Sequence, residues 1–172
     1  LVDGDLRRSG LTRELAAGRN SGLLEALATG QPAESAILRD GRTGLNFLPA
    51  SGPLPSAASS AELIASPAMA TAFEALKRRY DTIIIDTPPL LPVIDARILA
   101  DHADQIVFVM SWRKTPKQLA KRALKGLGFN HRKVVGIVMS EVDPEVLVDS
   151  RGLGAGLVAD ARLLHTGDRR AA

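Results

Sequence analysis

TIIIDTPP, residues Thr82 to Pro89, decides the fold. Three isoleucines in an unbroken β-branched run suit a strand covered on both faces, as strands are in a parallel sheet. The run stops at one carboxylate, Asp86. Two prolines follow, which stiffen the next loop and remove backbone donors. Downstream lie two further apolar runs, QIVFVM (Gln105 to Met110) and KVVGIVMS (Lys133 to Ser140). DARILADHA (Asp95 to Ala103) predicts a helix before the first of them. A basic amphipathic helix, capped by Thr115-Pro116 and running to about Gly126, separates the two. Strand, helix, strand, helix, strand is the order of an α/β fold with a doubly wound, mostly parallel sheet.

Toward the N-terminus, GLLEALA (Gly22 to Ala28) predicts a short helix ended by Thr29-Gly30. GLNFLPAS (Gly44 to Ser51) predicts a short strand. It leads into a Pro/Ser/Ala-rich loop up to about Ser60, the most flexible-looking internal segment. Ser66 and Pro67 form a helix start, serine as cap and proline at the first helical position. Met69, Phe73 and Leu76 then fall at i, i+4 and i+7, one apolar stripe reaching about Arg79. Beyond Asp143 the sequence is Gly-rich and weakly periodic. The expected organisation is one domain over residues 1–143 and a weakly structured tail over 144–172.

The 172 residues suffice for one domain with a real core. Hydrophobic residues make up 45% and charged residues 24%, values of an ordinary globular chain. The net charge of +3 is mild and scattered, and aromatics are only 3%, so no base-stacking platform points to nucleic acid. Cysteine is absent, which excludes disulfides and zinc-thiolate sites and fits a reducing compartment. No apolar run reaches the roughly 18 residues that span a bilayer.

The chemistry is expected at the carboxyl ends of the strands, where ligands bind in open α/β sheets. Asp86 closes an apolar run in the manner of a Walker B element, whose carboxylate holds magnesium, usually through water. The other reading is an aspartate that merely ends a strand. At the N-terminus stands LVDGDLR. Two apolar residues ahead of a carboxylate look like the end of a buried strand, and a strand so short predicts upstream sequence. In β geometry Asp3 and Asp5 point the same way. Such a pair repels itself unless a cation or shared proton relieves it. Arg7 keeps the alternation and could reach a phosphate oxygen. The competing reading is a polar turn with Asp5 bridged to Arg7 or Arg8.

Together, LVDGDLR and IIIDTPP resemble the Walker A′ and Walker B motifs of the bacterial protein-tyrosine kinases of capsular and exopolysaccharide synthesis. GLLEALATG, LNFLPAS, DARILADHAD and VVGIVMSEVD resemble that family in the same order, over roughly residues 1–143. The resemblance implies a P-loop NTPase-like fold of the ParA and septum-positioning ATPase type, here lacking the first strand and the P-loop helix. It implies ATP and Mg²⁺ as cofactors. Asp3 and Asp86 would hold the metal from opposite sides. Asp5 would lie nearest the attacking hydroxyl as base or orienter. Arg7 would brace the A′ loop or touch phosphate. Ser140 occupies the position where related ATPases carry an adenine-contacting asparagine.

The family further implies a cytoplasmic protein at the inner face of the plasma membrane. It would act with a membrane chain-length-determinant protein or an upstream membrane domain, on protein tyrosines, as a homo-oligomer. The chain departs from the family where G-x-x-x-x-G-K-[ST] and a tyrosine-rich tail would stand. No glycine-lysine-serine or glycine-lysine-threonine occurs, and Tyr80 is the single tyrosine. Two alternatives therefore stay open, a non-catalytic docking or degenerate module and a ParA-like ATPase.

Overall fold

The computed structural model describes residues 1–52 and 59–143. The first parallel pair joins β1 (Val2–Asp3) to β4 (Ile85–Asp86), with Val2 opposite Ile85 and Asp3 opposite Asp86. On its other side β1 meets Leu48 in a parallel bridge, just past the hairpin of β2 (Leu38–Arg39) and β3 (Asn46–Phe47). β1 is thus held on both edges: Val2 N donates to Ile84 O at 2.8 Å and Asp3 N to Leu48 O at 3.0 Å. Both its residues are buried.

Helices α2 (Leu23–Thr29), α3 (Ser60–Ile64), α4 (Pro67–Arg79) and α5 (Asp95–His102) enclose this centre. Leu23, Ile64, Met69, Phe73, Leu76 and Leu99 form the core with Val2, Leu6 and Leu48. The expected stripe of Met69, Phe73 and Leu76 is the buried face of α4, and Ser66 caps that helix by accepting from Met69 N at 3.3 Å. Gly30 ends α2 in the left-handed region, as its position after Thr29 predicts. Tyr80 closes α4 and packs partly buried against the core.

Helix α5 leads from β4 to β5 (Ile106–Ser111), and α6 (Lys117–Gly126) leads from β5 to β6 (Val134–Ser140). β5 and β6 pair in parallel, Phe108 opposite Ile137 and Met110 opposite Met139. This is the expected strand and helix order, and the fold class is α/β with parallel pairing throughout its main strands.

Four local expectations are corrected. The Thr82–Asp86 run is not sheathed on both faces: only Ile85 and Asp86 pair as a strand, and Ile84 is 63% exposed. β4 and β5 are not hydrogen-bonded to each other, so the sheet is interrupted between them. Thr115 does not cap α6. Its hydroxyl accepts from Ser111 N at 3.2 Å, and Pro116 takes the cap position. Finally, a short helix α1 (Gly10–Leu15) and helix α3 form where periodicity gives no signal. Each is too short to show an apolar repeat. α3 is set by a capping box, in which Ser59 Oγ accepts from Glu62 N and the Glu62 carboxylate from Ser59 N. Most of the flexible-looking loop (53–58) and the whole tail (144–172) lie outside the described residues.

Candidate functional site

The ends of β1 and β4 bring Asp3, Asp5 and Asp86 into one cluster. Gly4 allows it. A Cβ at that position would stand 2.6 Å from the carbonyl oxygen of Asp86 and 3.0 Å from a methyl group of Leu99. Glycine alone lets the two strand ends meet, and Gly4 N donates to that same Asp86 oxygen at 2.8 Å.

The two N-terminal carboxylates do not share one environment. β1 ends at Asp3, so strand alternation does not continue to Asp5 and Arg7. Asp3 is fully buried and faces inward. Its Oδ2 accepts from Thr12 N at 2.8 Å and Thr12 Oγ1 at 2.7 Å, and its Oδ1 accepts from Asp5 N at 3.2 Å. Thr12 Oγ1 in turn accepts from Ala50 N at 2.8 Å. Asp3 therefore ties β1, α1 and the segment after β3 together. As placed, its oxygens serve internal donors, which departs from the metal-facing role that the resemblance implies.

Asp5 sits in the turn that follows, 8% exposed. Its Oδ1 accepts from Arg7 N at 3.2 Å and Arg8 N at 3.0 Å. Two backbone amides thus serve one oxygen of this carboxylate. The alternative of a side-chain bridge from Asp5 to Arg7 is also corrected. The Arg7 guanidinium turns to Asp95, the first residue of α5, with Nε 3.0 Å from Oδ2 and Nη2 3.3 Å from Oδ1. Ser60 Oγ donates to Asp95 Oδ2 at 2.6 Å. Burial pushes the Asp95 carboxyl up, but the bonds from Arg7 and Ser60 and the Arg7 charge outweigh it and hold the group below the usual aspartate range. The Arg7 side chain thus ties the turn after β1 to the start of α5.

Asp86 is the solvent-facing member of the cluster. Partial burial raises its pKa, the charges of Asp3 and Asp5 raise it further, and a bond from Thr87 N offsets part of this. A divalent cation at Asp86 would relieve that repulsion. Among the described residues, no three or more His, Cys, Asp or Glu side chains converge as a metal site. The donor set fits Mg²⁺, which keeps several waters and takes one or two protein carboxylates.

A carboxyl whose folded pKa is raised contributes a cost that appears as pH climbs from the ordinary value near 3.8 through the raised one. Asp86→Asn is expected to stabilise the metal-free protein at pH 7 by under about 1 kcal/mol, since the group is solvent-screened. The gain should vanish below about pH 4, where both states are protonated. Thermal melts of the two proteins between pH 4 and 7 check it, and added Mg²⁺ should raise the midpoint of the wild type alone.

Ser140 is not brought to this cluster. It ends β6, its Oγ lies 3.5 Å from Met110 O, and its carbonyl accepts from Trp112 N at 2.9 Å. There the Arg113 guanidinium lies 4.4 Å from the Trp112 ring centroid, and Lys114 pairs with Glu141 at 3.3 Å. The two described histidines have separate partners. His102 packs on Phe73, His131 meets Gly128 O, and His165 lies outside the described residues.

Thr12, Ser60 and Asp95 escaped the sequence reading. A threonine in a stretch without apolar periodicity carries no signal. Asp95 opens a helix, where an acidic residue is expected for its own sake.

Known proteins are similar to this chain in sequence and in fold. No family model matches the chain. The chain is 36% identical over 143 residues to the succinoglycan biosynthesis transport protein ExoP of Rhizobium meliloti (strain 1021), which covers 83% of this chain and 18% of ExoP. It is 36% identical over 141 residues to the tyrosine-protein kinase YwqD of Bacillus subtilis (strain 168), over 81% of this chain and 58% of YwqD. The crystal structure of the VpsO kinase domain superposes with a TM-score of 0.74 at 26% identity, over 83% of this chain and 69% of that one. The chain therefore spans less than two thirds of either curated relative. Along most of its own length the chain is similar, in sequence and in fold, to bacterial tyrosine-protein kinases and to a protein of succinoglycan biosynthesis.

Proposed function

We propose that the protein carrying these residues is an ATP-dependent protein-tyrosine kinase that regulates exopolysaccharide or capsule synthesis and chain length. The observation that carries this is the meeting of Asp3 and Asp86 at adjoining strand ends, with the charge of Asp5 in the next turn acting on Asp86, in a chain related to YwqD over 81% of its length. Asp86 would hold Mg²⁺ and Asp3 would support it, chiefly by fixing the strand end. Mg²⁺ supplies neutralisation of phosphate charge. Asp5, held by the amides of Arg7 and Arg8, would orient the tyrosine hydroxyl and accept its proton. Ser140 would stand at the nucleotide edge. Catalysis in this class is mostly positioning and charge stabilisation, which suits side chains pinned by backbone amides.

The setting follows from the same kinship. The protein would work at the inner face of the plasma membrane with a membrane chain-length-determinant protein or domain, as a homo-oligomer, on protein tyrosines. Among the described residues no helix is long and apolar enough to cross a membrane.

The test is a phosphorylation assay on the full-length gene product with ATP and Mg²⁺. Phosphotyrosine is expected, and Asp5→Asn should reduce it by at least about 100-fold. ATP hydrolysis without any labelled protein would favour a ParA-like ATPase. The second reading, a docking module, turns on nucleotide binding, since the 172 residues given contain no glycine-lysine-serine or glycine-lysine-threonine. These residues by themselves should bind a fluorescent ATP analogue no better than roughly millimolar, about −4 kcal/mol. Micromolar, magnesium-dependent binding would refute that expectation.

A further inference from the structure

We propose that Asp95 is a positioning residue for phosphoryl transfer, acting through Arg7 to set the Asp5 carboxylate; this rests on the kinase reading above. Asp95 is completely buried, and such a carboxylate is tolerated only when charge and hydrogen bonds compensate it. Arg7 supplies both through a two-pronged contact, while 45% of its side chain stays exposed. The same residue holds Asp5 from the other end, because Arg7 N donates to Asp5 Oδ1 at 3.2 Å. Side chain and backbone of residue 7 therefore belong to one linkage. The contact to Asp95 restrains residue 7 from its side chain, and the amide that holds Asp5 belongs to the same restrained residue.

Three elements meet at Asp95. It opens α5, whose Leu99 packs beside Gly4, and it accepts from Ser60 on α3 at 2.6 Å. The A′ turn is thus latched to two helices through one carboxylate. The groups bonded to that carboxylate are Arg7 and Ser60, while Asp5 accepts from the amides of Arg7 and Arg8 and its charge acts on Arg7 and Asp86. In the Asp95 variant the guanidinium would lose its anchor and could fall back on Asp5, the nearest remaining carboxylate on its own turn. Planarity matters as well. Lysine keeps the charge but not the fork, so Arg7→Lys should behave as a broken latch.

Kinetics and amide hydrogen exchange on the full-length gene product test this. Asp95→Asn and Arg7→Lys should each lower kcat on the order of 10- to 100-fold, the cost of a small misplacement, with KM for ATP changed less than about 3-fold. The double variant should be no slower than either single, since both break one linkage. The amides of Arg7 and Arg8 should exchange about 10-fold faster in each variant, with those of α4 unchanged. Kcat losses that multiply in the double variant overturn the proposal, as does unchanged protection of the two amides. If Asp95→Asn fails to fold, Arg7→Lys, altered at a half-exposed side chain, carries both measurements. If the wild type transfers no phosphoryl group, the kinase reading falls and amide exchange still decides the latch.

Discussion

Replacing Asp3 by alanine is expected to destabilise the protein by about 3–5 kcal/mol, a large share of a typical folding free energy. The residue is fully buried and accepts from Thr12 N, Thr12 Oγ1 and Asp5 N. Alanine leaves those buried donors without a partner, each at about 1–3 kcal/mol, although relief of the carboxylate's own desolvation offsets part of this. The Thr12 hydroxyl, which also accepts from Ala50 N, then loses its orientation, so α1 and the segment after β3 loosen together. Asparagine should cost less, about 1–2 kcal/mol, because one oxygen can still serve Thr12 while its amide group opposes Asp5 N. Urea unfolding of the full-length gene product measures both. A loss under 1 kcal/mol for Asp3→Ala would mean that water or a rearranged turn satisfies these donors.

The second large effect concerns the 172-residue chain by itself, which should self-associate and bind a dye such as ANS. Val107, Val109, Val135, Ile137, Val138 and Met139 on the β5–β6 pair are 48–60% exposed, and Ile84 beside the break in the sheet is 63% exposed. Burying about half of each such side chain is worth roughly 1 kcal/mol, so together they hold back several kcal/mol, comparable with net stability. Among the described residues β4 pairs only with β1 and β5 only with β6, and apolar edges of this kind pair with whatever strand is offered. Sedimentation and thermal melting of the chain at micromolar concentration check this. A monodisperse monomer with a sharp melt and no dye binding would show that the core around Val2, Leu48 and Phe73 suffices.

Part of the molecule was written locally. The stripe on α4, the stop at Gly30 and the runs that became β5 and β6 depend on neighbours within a turn or a strand, so periodicity and capping residues determine them. LVDGDLR and IIIDTPP likewise mark two strand ends, and Asp3 lies directly opposite Asp86. What each carboxylate does there was decided elsewhere. Thr12 claims Asp3 from nine residues away, Asp95 claims Arg7 from 88, and Gly4 lets Asp86 approach from another strand. Strand alternation places Asp3 and Asp5 alike, yet the chain turns after Asp3 because buried donors on α1 and backbone amides of the next turn are satisfied only that way. Local pattern determines which residues form elements and where the acids stand. Hydrogen-bond satisfaction in the packed interior, a property of residues far apart in the chain, determines which acid becomes a structural tie and which faces solvent.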